Sequence, residues 1–194
     1  MFKCIEAKDE DLIKEIYRFR YRIACIEEGI FDRKSFPNEC ETDEFDQLSI
    51  QYAIFDKENN LAACVRLVHH SKRGYPTSKA LKINPEEEKK LLPYNQMGEL
   101  SRIFIRKDCR GIKNTKQIID LVKINAGAKM KELGIVSSFG SLEESFLRLL
   151  LILKMPYRPI GPYQVYGNRM RAPCIMLTDE LIELNKELFF EEVH

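Results

Sequence analysis

Residues 97–107 read MGELSRIFIRK, and the fold turns on how this stretch is understood. The aromatic and β-branched residues of its second half spell a strand. Glu99 and Arg102 sit inside it, three positions apart. Strand side chains alternate between faces, so these two charges point to opposite faces unless a bulge intervenes. A charge on a covered sheet face is costly unless it is paired. This strand therefore demands partners from elsewhere in the chain, or a face open to water.

Candidate partners are present. Arg66 interrupts the apolar run AACVRLV (62–68), and Arg20 falls at the edge of a helical apolar face. Residues 39–48, ECETDEFDQL, crowd Glu41, Asp43 and Asp46 into six positions, with Phe45 among them. Arg20, Arg66 and Arg102 against Asp43, Asp46 and Glu99 would make a balanced six-member network, with the acidic segment folded back over the sheet. The competing reading is a solvated acidic loop and arginines that face water.

Around that strand the chain reads as a mixed α/β sheet. FKCIE (2–6) is a short strand, and Asp9 N-caps a helix with Leu12, Ile16, Phe19 and Ile23 on one face. Residues 27–48 form a long loop of the kind that is usually functional or mobile. SIQYAIFD (49–56) and LAACVRLVHH (61–70) make a hairpin, and 71–95 is a surface excursion. A helix is expected from about Lys116 to Leu133, with a capping box from Asn114 and Gln117, ending at Gly134. IVSSFG (135–140) is a strand, and Ser141 with Glu144 reads as a second capping box before an apolar helix. Two short strands turn at Gly167, and DELIELNKELFF closes with a helix.

Composition excludes several classes. The 194 residues suit one domain, 1–194, with 44% hydrophobic and 31% charged residues, an ordinary globular balance. A net charge of +1 gives no basic excess for nucleic acid or an anionic membrane. The longest apolar run, LRLLLIL at 147–153, is too short to span a bilayer. Six scattered cysteines lack the spacing of a metal site or a disulfide framework, which predicts free thiols, no metal and a cytoplasmic location. His69 and His70 lie at a strand end and read as surface residues.

Arg20, then ETDEFD (41–46), then VRL around Arg66, then ELSR (99–102), resembles the acyl-homoserine-lactone (autoinducer) synthases. The intervals of 20 residues from Asp46 to Arg66 and 33 from Arg66 to Glu99 match that layout. The second half, with SSFGSLEESFLRLL and RPIGPYQVYGNRMRAP, is more similar to the long-chain N-acyl amino acid synthases and the exosortase-associated acyltransferases. All share the GNAT acyltransferase fold. The resemblance implies a mixed sheet of six to seven strands, splayed between its central strands, with helices on both faces. It implies an acyl thioester of acyl carrier protein or CoA as cosubstrate, no bound cofactor, and a small amine or amino acid as acceptor. It assigns Glu99 as base, with Arg66, Asp43 and Asp46 in the catalytic network. Arg20, Arg102, Phe31, Ser138 and Ser141 would bind substrate, and Arg106, Arg110, Gly111 and Lys113 the carrier or its phosphopantetheine. Ala24 stands where the autoinducer synthases carry Phe, and the chain has no Trp. An N-acyl amino acid synthase is therefore expected. The alternatives are an S-adenosylmethionine-dependent lactone synthase and a non-catalytic module that binds an acyl carrier or a fatty ligand.

Overall fold

Helix α1 (Glu10–Tyr21) begins where the Asp9 carboxylate accepts the backbone N–H groups of Asp11 and Leu12. Its Ile16 and Phe19 are buried, and so is Arg20, at 0% exposure. The helix runs on as a wider π turn through Arg22–Glu27, where Ile23 and Ala24 are buried. These features belong to a computed structural model that describes residues 1–190; the last four positions of the expected domain lie outside the described residues.

The strands are β1 (Lys3–Ala7), β2 (Ser49–Phe55), β3 (Leu61–His69), β4 (Met97–Ile105), β5 (Ser137–Leu142), β6 (Arg158–Pro159), β7 (Gln164–Tyr166) and β8 (Arg169–Leu177). The remaining helices are α2 (Pro76–Ala80), α3 (Pro85–Glu88), α4 (Ile112–Val122), α5 (Ala128–Glu132), α6 (Glu144–Ile152), α7 (Thr178–Leu184) and α8 (Lys186–Phe189). One eight-stranded sheet runs β1-β2-β3-β4-β5-β8-β6, with β7 paired to β8. This exceeds the expected six to seven strands because β6 and β7 are only two and three residues long. One layer packs α1 against Ala53, Leu61 and Cys64. The opposite layer buries Ile118, Val122, Leu147, Leu150 and Leu181 from α4, α6 and α7. Helices thus cover both faces, as expected.

Two helix starts differ from the sequence reading. Helix α4 begins at Ile112, because Gly111 adopts φ +138°, a conformation open to glycine, and its carbonyl accepts Thr115 N–H. Asn114 then lies inside the first turn and caps nothing. Ser141 is part of β5, so α6 starts after an extended Glu143 and the expected box with Glu144 does not form. A π turn at Lys123–Gly127 interrupts the long helix. There the buried Lys123 ammonium donates to Leu153 O and Asn185 Oδ1 and pairs with Asp120, a network no pattern in the sequence announces. All six cysteines are unpaired. No helix among the described residues is long and apolar enough to cross a membrane.

Candidate active site

Strands β4 and β5 are the sheet's parallel pair, and they pair only from Met97 to Glu99 against Ser137 to Phe139. Beyond that they diverge, and β5 continues beside β8 alone. Ser138, fully buried, holds the apex by accepting the Leu100 N–H at 3.1 Å. The wedge that opens is a cleft of about 420 Å³.

The charge pattern of β4 is resolved by a bulge. Cys64 pairs with Phe104 but Arg66 pairs with Ser101, so Arg102 and Ile103 together oppose Val65. Arg102 takes φ +54°, an uncommon conformation for a bulky residue. The extra residue returns Arg102 to the face that carries Ser101 and Glu99. Its guanidinium then donates to Glu41 at 2.8 Å and to Asp43 at 3.0 Å.

The acidic segment does fold back over the sheet. Phe45 is buried and packs in the cluster of Val68, Tyr75 and Phe139, which anchors it. The aspartate side chains tie the turn: Asp46 Oδ2 accepts Asp43 N–H (2.8 Å) and Asp43 Oδ1 accepts Phe45 N–H (2.9 Å). Arg20 pairs with Glu41 (2.6 Å) and Asp46 (2.7 Å), and Arg66 with Asp43 (2.5 Å) and Asp46 (3.0 Å). Burial would raise the Glu41 carboxyl, but Arg102 and Arg20 outweigh it and hold it at about 2. Asp46 is likewise held at about 2, with Arg20 and Arg66 overcoming its burial.

Glu99, expected in this network, stands outside it; Glu41 takes the place. Three arginines are already matched by three loop carboxylates, so Glu99 has no dedicated cation. It is 1% exposed and accepts the Thr77 N–H of α2 at 2.8 Å. Burial pushes its carboxyl up to about 7, against the opposing pull of that N–H and of Arg66. Glu99 lines the cleft.

Cross-strand partners share a face, which divides the cleft by chemistry. Arg66 faces Ser101, Val68 faces Glu99, and Ser141 faces Pro173, two residues from Arg171. Glu99, Ser101, Ser141 and Arg171 therefore project to the side of α1. Leu100, Ile103 and Leu142 project to the other side, where Phe146 and Leu149 of α6 also reach the wall.

Of the residues singled out from the sequence, Glu99, Arg102, Phe31, Ser141 and Arg110 line this cleft. Phe31 stacks on Arg102, 5.0 Å from its Cζ, and meets Tyr166 edge-on. Arg20, Arg66, Asp43 and Asp46 form the frame behind it. Arg106 lies apart, tied to Asp56 (2.7 Å) and Asp108 (2.7 Å). Gly111 and the exposed Lys113 sit at the start of α4 outside the wall, and His69 and His70 contact each other at the far end of β3. The sequence reading left out Thr77, Glu28, Glu143, Tyr166, Arg169 and Arg171. The last three belong to the β7–β8 hairpin, and their place at the cleft depends on how that hairpin pairs.

The acetyltransferase (GNAT) domain family matches residues 19–119, about half of the chain. The chain belongs to the GNAT acetyltransferase family. The matched GNAT region takes in Arg20, the acidic segment, Arg66, Glu99 and the bulge at Arg102. Among solved structures, TofI, described in a ternary complex with an inhibitor and MTA, superposes with a TM-score of 0.74 at 16% identity, covering 95% of each chain. The acyl-homoserine-lactone synthase LasI gives 0.67 at 16% identity, covering 96% of this chain and 94% of its own. BjaI, described as a CoA-dependent acyl-homoserine lactone synthase with SAM and isopentyl-CoA, gives 0.68 at 18%, covering 97% and 89%. These likenesses show the GNAT fold across nearly the whole chain. A comparison with curated protein sequences gives no match.

Proposed function

We propose that this GNAT protein transfers a fatty acyl group from a carrier-protein or CoA thioester to the amine of an amino acid. The observation that carries the proposal is Glu99: a carboxyl group buried at the apex of the β4–β5 splay, left unpaired by the arginines, with its pKa raised to about 7. An α-amino group has a pKa near ~8, and only its neutral form attacks. A base with a pKa close to working pH is well matched to take that proton. The amine nitrogen attacks the thioester carbonyl carbon, the C–S bond breaks, and the amine proton passes through Glu99 to the departing thiolate. The apolar wall of Leu142, Phe146 and Leu149 suits the acyl chain, and the polar wall suits the acceptor. Asp43, Asp46, Arg66 and Arg20 enter the proposal as the frame that holds the loop and Arg102 in place.

Lactone synthesis is the second reading, favoured by the likeness to LasI and BjaI. Against it stand Ala24, fully buried with its carbonyl accepting Ile30 N–H, and the lack of any Trp. Mass spectrometry of lipid extracts from cells overexpressing the protein decides between them. N-acyl amino acids that vanish with Glu99→Gln support the proposal; acyl lactones support the second reading; no new lipid refutes both.

A further inference from the structure

Four arginines reach the cleft wall: Arg102, Arg110, Arg169 and Arg171. Three have firm carboxylate partners. Arg102 is held by Glu41 and Asp43; Arg110 donates to Glu28 at 2.6 Å; Arg169 donates to Glu28 at 3.2 Å and to its carbonyl at 3.0 Å. Arg171 differs. Its Nε is buried and has no hydrogen-bond partner, and one Nη reaches Glu143 only at 3.4 Å. Its side chain is 14% exposed. Burial lowers its affinity for its proton, and nearby Arg102 adds to the effect against the pull of Glu143. A buried guanidinium N–H with no acceptor is a cost that an anion bound in the cleft removes.

The neighbours define the anion. Arg171 lies on β8 two residues from Pro173, the partner of Ser141, and projects to the same face as Ser141 and Glu99. The Ser141 hydroxyl is also buried without a partner. The Tyr166 ring lies under the guanidinium, 5.8 Å from its Cζ. Two unpaired donors on one wall match one carboxylate, whereas Glu143 beside them opposes a phosphate dianion. We infer that Arg171, with Ser141, binds the carboxylate of the acceptor, selects α-amino acids over simple amines, and orients the amine towards Glu99.

This rests on the proposed amine acylation, and the test separates the two. Purified protein is assayed with palmitoyl thioesters of CoA and of acyl carrier protein against a panel of amino acids, each paired with its carboxamide, which keeps the amine and loses the charge. The expected result is a kcat/KM at least about ten-fold lower for the carboxamide, the size of one charge-assisted hydrogen bond. Arg171→Gln is expected to raise KM for the amino acid about ten-fold or more, leave KM for the thioester unchanged, and abolish the preference over the carboxamide. Arg171→Lys is expected to recover part of that preference. Equal use of acid and carboxamide by the wild-type protein overturns this inference alone and needs no folded variant. A rise in thioester KM with Arg171→Gln also overturns it, because it assigns the residue to the donor. Failure of every amine to yield product overturns the proposed function and this inference with it.

Discussion

Replacing Glu41 by glutamine tests the buried network where it is most connected. Glu41 is 1% exposed and accepts Arg20 Nε at 2.6 Å and Arg102 Nη2 at 2.8 Å. Its carboxyl is held at about 2 instead of the ordinary 4.5. At 1.36 kcal/mol per pH unit, that difference corresponds to about 3 kcal/mol of native-state interaction. The general cost of stranding one side of a buried ion pair, about 3–5 kcal/mol, agrees. Glutamine keeps the shape and one acceptor oxygen, so the loss reports charge rather than packing. In urea, with a slope of about 1–3 kcal/mol/M, the midpoint is expected to fall by roughly 1–3 M at neutral pH with the slope unchanged. A double-mutant cycle with Arg102→Gln should then show coupling of at least about 1 kcal/mol. A midpoint displaced by only a few tenths of a molar, or strictly additive mutants, would show that Glu41 and Arg102 do not depend on one another, and the account of the bulge would fail.

Further outcomes follow from the same geometry. Because Glu41 and Asp46 are held at about 2, the protein should lose stability as pH falls from about 4.5 towards 2, taking up protons as it unfolds; equilibrium denaturation across that range measures it. Glu99 has the opposite sign: its carboxyl rises from 4.5 to about 7, so the folded state keeps a proton that the unfolded chain releases, and stability should decline by about 3 kcal/mol as pH rises through that window. Glu99→Gln should flatten that decline while product formation slows by at least about a hundred-fold. Gly167→Ala should lower the melting temperature, since φ is +60° there and an added Cβ would lie 2.6 Å from the Ile30 carbonyl; a thermal scan at unchanged Tm would dismiss that contact. Phe146→Ala should shift the product profile towards longer acyl chains, read by mass spectrometry, if the apolar wall sets chain length.

Much of the frame was legible because it rests on local rules. Asp9 capped its helix, the hairpin of β2 and β3 showed its alternation, and Arg66 stood out as a charge within an apolar strand. The arginine–carboxylate pairing was also legible, since buried charge must be balanced. Its membership was not: Glu41 and Glu99 have the same chemistry, and only the β4 bulge and the path of the loop decide which one meets Arg102. The capping boxes at Asn114 and Ser141 failed for a related reason. Gly111 let one helix start early, and pairing with β8 drew Ser141 into a strand, so tertiary structure overrode a local motif. Arg171 carried no local signal, because its isolation depends on what β7 and β5 do not supply.

Whether Glu99 is the base is read from the pH dependence of kcat/KM for the acyl thioester in N-acyl amino acid formation, wild type against Glu99→Gln. For the wild type, log kcat/KM should rise with unit slope below about 7 and level above it, and the variant should be slower by at least about a hundred-fold with that limb gone. A variant that keeps both its rate and the same inflection would contradict that role.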